Sequence, residues 1–378
     1  MNVQMNAERQ SPNVNPAIEL LRGIAAIMVM LCHYAVLIQD TERSWLNFLY
    51  TGVDFFFVIS GFVFAPVLLS PARENTAAFA IRRIFRIYPL FLFAIIFYAL
   101  LPHNTWDSGI MLQHALFLHT TVSKEIAFYY NPAFWSLPVE VEFYLLIGLL
   151  VFLKIRNTVP LLLLLSGLSL LASLWAHHFL PENAHAKLVV IHHLISILPE
   201  FLLGTLAYLI SRNCGRLAGM LYGIAGLLLL SALCQGFVTH GNMISGMTYG
   251  FFNLLCALGY QWIIIACVSL YRHAHHVVLT LFAGVMGNLS YGVYLFHNAI
   301  PPLMSALFEF TDVTLFTASI LTTFIISAIM YRILENPMRN FGRRYAARFY
   351  QGQSGIKTEH ENTKARLRDA HRTSADSP

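Results

Sequence analysis

Charge is what this 378-residue chain has least of: Asp, Glu, Lys and Arg together make up 11% of it, against 57% hydrophobic residues. Soluble domains carry about 25% charged and about 45–50% apolar residues, so an ordinary water-soluble domain is excluded. A mean hydropathy of +0.61 agrees. Cysteine is scarce too. Cys32, Cys214, Cys234, Cys256 and Cys267 are odd in number, lie in or beside apolar runs and form no Cys-x-x-Cys pair. Neither a disulfide framework nor a structural metal is indicated, and no metal site is expected. The first sixteen residues lack the basic, apolar and small-residue order of a cleavable signal peptide, so the first apolar run is expected to remain as a span. A fixed-period repeat is missing, and so is a symmetric pair of Gly/Pro-broken half-helices of the transporter kind.

What is present is a series of apolar runs. About twenty apolar residues cross the hydrocarbon core. Runs of that kind fall at 17–39, 48–69, 84–101, 138–155, 159–179, 191–210, 216–236, 248–270, 285–307 and 313–334. The fold class expected is therefore all-α, a polytopic membrane bundle of about ten transmembrane helices. The connection 103–137 has room for a partial or re-entrant segment. Lys and Arg favour cytoplasmic loops. Alternate loops here hold Arg73, Arg82, Arg83 and Arg86, then Lys154 and Arg156, then Arg212 and Arg216, then Arg272, then Arg332, Arg339, Arg343, Arg344 and Arg348. The opposite loops together hold Arg43, Lys124 and Lys187. Both termini are thus expected in the cytoplasm. Residues 1–16 form a cytoplasmic segment, 17–339 the membrane domain, and 340–378 a polar, flexible cytoplasmic tail. The sequence pI near 8.9 follows from this topology rather than from nucleic-acid binding.

Ionisable groups inside spans are costly and mark cavities, partners or chemistry. His33, Asp54, Glu140 and Glu142 fall in the outer half of the expected membrane, and His297, near the middle of its span, at similar depth; Glu200, in "LPEFLLG", lies near mid-membrane. Arg22 precedes His33 by eleven residues. At about 100° per residue the two share a helix face, separated by roughly 16 Å along the axis. At the cytoplasmic start of the third span, Arg82 and Arg86 share a face, with Arg83 beside them. Arginine forks match phosphate oxygens, although positive-inside topology alone accounts for a basic cluster. Trp135 and Tyr144 are either sugar-stacking groups or aromatic-belt anchors. "YRHAHH" offers His273 and His276 as metal ligands, and a solvated turn is the plainer reading.

Seven segments in order carry a family resemblance. They are "LRGIAAIMVMLCHY", "GVDFFFVISGF", "RRIFRIYP", "FWSLPVEVEFYLL", "LPEFLLG", "LSYGVYLFHNAI" and "ENP", Glu335 to Pro337. Together they resemble the acyltransferase-3 family of bacterial membrane O-acyltransferases that modify envelope and secreted carbohydrates. There are departures. Glu19-Leu20-Leu21-Arg22 stands where Asp-Gly-Leu-Arg is common, Val141 separates Glu140 from Glu142, and Ala299 stands where a proline often follows the histidine.

The resemblance implies transfer of an acyl group, acetyl foremost, from cytoplasmic acyl-CoA to a hydroxyl of a carbohydrate, lipid-linked or not, at a bacterial inner membrane. No tightly bound cofactor is implied; acyl-CoA is a co-substrate. The expected roles are His33 as general base, Asp54 or Glu140 as the carboxylate that orients it, and Arg22, Arg82, Arg83 and Arg86 as donor-binding groups. Trp135, Glu142, Tyr291, His297, Glu200 and Glu335 are expected around the acceptor or behind these groups, with Glu335 near an arginine. Cys32 cannot form a dyad with His33, because helix neighbours point about 100° apart. Ser60, Ser136 and Ser290 are expected to pack helices. A proton- or solute-coupled transporter is the other class that buried His and carboxylates fit.

Overall fold

A computed structural model describes residues 15–38, 44–102, 104–182, 184–240, 251–272 and 277–350. His273 and His276 lie outside them. The described residues form helices throughout. Ten are long: α1 Pro16–Tyr34, α2 Gly52–Leu69, α3 Thr76–Ala99, α4 Ser136–Phe152, α5 Val159–Phe179, α6 Leu194–Asn213, α7 Arg216–His240, α8 Phe252–Arg272, α9 Val277–Phe296 and α10 Asp312–Met330. Among the described residues nine helical segments are long and apolar enough to span a membrane. The expected third span is the exception. Helix α3 has 24 residues, enough length, but carries Arg82, Arg83 and Arg86 in its first half. The protein is an all-α, multi-pass bundle.

Local chemistry starts the helices where the structure places them. Asn15 accepts from Ala17 N–H at 3.0 Å, and Pro16 opens α1 with a preset φ. Asn75 caps α3 through Ala78 N–H at 2.9 Å. Helix α10 continues through a π turn, Tyr331–Glu335, and stays helical to residue 350. Pro337 lacks the N–H that would bond the Ile333 carbonyl, so the ladder widens just before it. The helix thus runs about ten residues past 340, where the flexible tail was expected to begin; 351–378 lie outside the described residues.

Two packing contacts set the site. Helices α1 and α9 run parallel. A Cβ on Gly23 would lie 2.6 Å from Met286 Cβ, and one on Gly287 would lie 1.9 Å from the Glu19 carboxylate. Higher up, the Tyr34 hydroxyl donates to the His297 carbonyl at 2.8 Å. Helices α2 and α6 cross backbone to backbone. A Cβ on Gly61 would lie 1.8 Å from Phe201 O, and one on Gly204 would lie 1.9 Å from Val58 O. Small residues permit such approach within a membrane. Gly204→Val is expected to destabilise the protein by about 1–3 kcal/mol, seen as a lower melting temperature in detergent. An unchanged melting temperature would show that the crossing is loose. Leu163, Leu164, Leu227 and Leu228, on the peripheral helices α5 and α7, remain exposed and face where lipid tails would lie.

The connection after α3 holds short helices at Ser108–Ala115, His119–Val122 and Lys124–Ala127 rather than a span. His114 and His119 are fully buried there, stacked with centroids 4.2 Å apart. His114 bonds the Ile110 carbonyl at 2.9 Å and His119 the Phe134 carbonyl at 3.2 Å. Burial pulls His114 down to about 4, and burial together with His114 itself pulls His119 down to about 3. Both rings are neutral in the fold. Below about pH 6.5 the unfolded chain takes up protons that the folded chain does not. Stability is full above pH 6.5 and falls as pH drops toward 4 and 3, by about 1.4 kcal/mol per pH unit for each ring in its window. Melting curves between pH 7 and 4 should show this slope, and His119→Gln should flatten it.

Candidate functional site

Helix α1 carries Arg22 in its first half and His33 in its last turn. The two mark different levels of the bundle. At the lower level a cavity of about 130 Å³ opens among α1, α2, α3, α4 and α9. Arg22, Arg83 and Arg86 line it, with Ser60, Glu140 and Tyr144 opposite and Tyr291 and Tyr294 from α9. The three arginines differ in their partners. Arg22 Nη1 pairs with Glu19 at 2.9 Å. Arg86 pairs with Glu335, delivered by the π turn, and lies over the Tyr291 ring at 5.5 Å. Tyr291 in turn donates to the Ile87 carbonyl at 3.0 Å. Arg83 packs over the rings of Phe64 at 5.0 Å and Tyr144 at 5.6 Å. Among the described residues no carboxylate lies within ion-pair distance of Arg83, and its buried Nε has no hydrogen-bond partner. Arg83 is therefore the arginine of the cavity that has no ion-pair partner among the described residues. Arg82, expected with it, is turned to the rim. It pairs with Glu74 at 2.9 Å and donates to the Tyr350 hydroxyl at 3.1 Å. The physical reason is helical: residues 82 and 83 point about 100° apart.

Tyr294, on the cavity wall, lies 6.1 Å from the His297 ring. His297 is fully buried and its Nε2 lies 3.2 Å from His33 Nδ1. His33 Nδ1 is also 2.9 Å from the Val29 carbonyl, and His297 Nδ1 is 3.1 Å from the Val293 carbonyl. These partners assign the tautomers. His297 carries its proton on Nδ1, which leaves the Nε2 lone pair to accept from His33. His33 carries its proton on Nδ1, shared between Val29 O and His297. No hydrogen bond from the described residues engages His33 Nε2, so its lone pair is available for a proton.

The carboxylate expected to orient His33 is not the group that does so. Glu140 Oε1 accepts from Ser60 at 2.9 Å and from Tyr144. Both carboxylate oxygens of Asp54 accept from Asn253 Nδ2 at 3.1 Å. The orienting groups are a main-chain carbonyl and a second histidine. His297 was legible as a buried polar group, but its contact with His33 depends on the α1–α9 register. Glu142 is placed elsewhere too: it pairs with His193 and accepts from Leu194 N–H at 2.8 Å at the start of α6. A carboxylate is favoured at a helix N-terminus.

A second cavity, of about 320 Å³, lies among α2, α5, α6, α8 and the turn Pro132–Trp135 that precedes α4. Asp54, Asn253 and Glu200 line it, with Trp135 and Tyr50 as aromatic wall. The Trp135 ring is 6.1 Å from Phe57, which lines the basic cavity. Asn253 and Tyr294 were not singled out from the sequence. Tyr294 had a signal, three residues before His297 on one helix face. Asn253 had only its polarity beside an apolar run.

These features define a class: an α-helical, multi-pass membrane protein with a basic chamber and a neighbouring pair of histidines, one half-buried and one fully buried. The chain belongs to the acyltransferase-3 family, whose acyltransferase-domain model matches residues 15–332. It is similar to the peptidoglycan O-acetyltransferase OatA of Listeria monocytogenes, with 28% identity over 380 residues, covering 88% of this chain and 57% of that protein. It is also similar to the O-acetyltransferase OatA of Staphylococcus aureus, with 24% identity over 360 residues, covering 88% of this chain and 58% of that protein. The chain thus spans under three fifths of the length of these relatives. No solved structure matches it.

Proposed function

We propose that the chain is a membrane O-acyltransferase that moves an acyl group, acetyl foremost, from acyl-CoA to a hydroxyl of an envelope carbohydrate. The observation that carries this reading is the His33–His297 pair set beside a chamber in which Arg83 has no ion-pair partner among the described residues. In this reading the phosphates of the donor engage Arg83, with Arg22 and Arg86 adding positive potential. The acceptor oxygen attacks the thioester carbonyl carbon. His33 Nε2 takes the hydroxyl proton as the C–O bond forms, and His297 steadies the resulting imidazolium through Nδ1. The C–S bond breaks, and the proton passes from His33 to the departing sulfur, giving free CoA thiol and the O-acyl sugar. Transfer is direct, in a ternary complex, because Cys32 points away from His33.

The basic end of the bundle faces the cytoplasm of a bacterial plasma membrane, with both termini there, which places the donor chamber on the side where acyl-CoA is made. The Listeria monocytogenes relative, named for peptidoglycan, makes a glycan of the cell envelope the first acceptor to try. The test is transfer of radiolabelled acetyl from acetyl-CoA into envelope carbohydrate by membranes containing the wild-type chain. Label above that of membranes lacking it supports the reading. No label, together with a proton-driven solute flux in vesicles, replaces it with the transporter reading.

A further inference from the structure

The larger cavity has no part in the steps above, yet its lining is unlike packing. Asp54 and Glu200 are only 3% and 6% exposed, and their carboxyl groups sit against each other. Among the described residues Ser196 Oγ, on the same wall, has no hydrogen-bond partner, and Glu200 Oε2 has none besides the Asp54 carboxyl against it. A buried polar atom left unpaired costs about 1–3 kcal/mol. Under-satisfied polar groups facing one cavity indicate a ligand that supplies the missing bonds. Asn253 Nδ2 is spent on Asp54, so its amide oxygen remains to accept. Trp135 offers an indole beside these groups. The volume, about 320 Å³, sits within the range of small-molecule pockets, about 300–1,000 Å³.

The chemistry of the lining selects among ligands. Two carboxyl groups repel phosphate, so the polyanionic donor is excluded and belongs in the arginine-lined chamber. Unpaired acceptors want hydroxyl or amide donors. An aromatic wall wants the C–H face of a ring. Position links it to the donor chamber: the Trp135 ring, on this wall, is 6.1 Å from Phe57, which lines the arginine-bearing cavity.

We propose that this cavity is the acceptor subsite, holding an uncharged sugar residue of the glycan against Trp135, with its hydroxyl or amide N–H groups donating to Glu200 and to the Asp54–Asn253 pair. The α2–α6 crossing at Gly61 and Gly204 is what holds Glu200 against Asp54. The subsite rests on the acyltransferase reading for its purpose, but the binding claim stands apart from it.

The experiment has two readouts on the full chain in lipid nanodiscs. Calorimetric titration uses the β-1,4-linked trimer of N-acetylglucosamine as probe and inorganic phosphate as control. Kinetics use acetyl-CoA with and without the same trimer. Wild type should bind the trimer and not be blocked by phosphate. Glu200→Gln and Trp135→Ala should weaken the trimer at least tenfold and raise its KM by a similar factor. Trp135→Tyr should recover most of the loss. The KM for acetyl-CoA and the melting temperature should each stay near wild type. The assignment is overturned if wild type does not bind the trimer, if Glu200→Gln binds it as wild type does, or if the variants raise the KM of acetyl-CoA instead. Trimer binding that depends on Glu200, with no acetyl-CoA consumption, would leave the subsite standing and bring down the acyltransferase reading alone.

Discussion

His33→Ala is expected to lower acyl transfer by about 10²–10⁴-fold at saturating acyl-CoA, the usual range for loss of a general base. The expectation follows from the tautomers. Nδ1–H is engaged by Val29 O at 2.9 Å and His297 Nε2 at 3.2 Å, and Nε2 is left for the acceptor proton. Alanine removes the base without leaving a buried charge behind, so the protein should still fold. The KM for acyl-CoA should barely move, because the donor chamber is lined by Arg22, Arg83 and Arg86 rather than by the imidazole. His297→Gln should cost less, about tenfold or so, since the Val29 carbonyl still holds the ring, and it should alter the pH profile of turnover. Turnover assays at matched protein level decide. Equal turnover for wild type and His33→Ala would remove His33 from the chemistry and leave the polar wall of the donor chamber to be searched for the base.

Arg83→Ala is the second large effect. Its guanidinium has aromatic neighbours but no carboxylate within ion-pair distance among the described residues, which leaves it able to engage an anion. A charge-assisted bond contributes about 1.5–3 kcal/mol, which corresponds to a KM for acyl-CoA raised roughly 10- to 150-fold. Arg82→Ala should change the same KM less than about threefold, because Arg82 is engaged at the rim by Glu74 and Tyr350; exposed pairs are worth about 0–1 kcal/mol. Arg86 is a poor test of binding. Removing it leaves the Glu335 carboxylate buried without its partner, which destabilises the bundle. Initial rates across a range of acyl-CoA concentrations separate these cases. If Arg82→Ala raises KM as much as Arg83→Ala, the donor phosphates sit at the rim rather than in the chamber.

The spans, their alternation and the basic end were legible from composition and loop charge, because the solvent that selects them is uniform. A twenty-residue apolar run has one stable fate in a bilayer, and it does not depend on its neighbours. The buried ionisable groups were legible for the same reason: each is costly wherever it lands. The family was legible from seven short segments and is matched over residues 15–332. What these sources could not decide was which buried groups meet. That depends on the rotation and register of helix pairs, and sequence spacing within one helix carries no information on either. The parallel packing of α1 on α9, through Gly23 and Gly287, turned His297 toward His33 and made a histidine, not a carboxylate, its partner. The 100° step between Arg82 and Arg83 sent one to the rim and the other into the chamber. The Gly61–Gly204 crossing brought Glu200 to Asp54 from a helix more than a hundred residues away and joined them to Asn253. Single helices were thus determined by the amino acids alone, through hydropathy. The partners that charged groups find on other helices were decided by tertiary packing, because in a membrane the close approach of small residues, rather than the pattern of apolar ones, sets which helix faces touch.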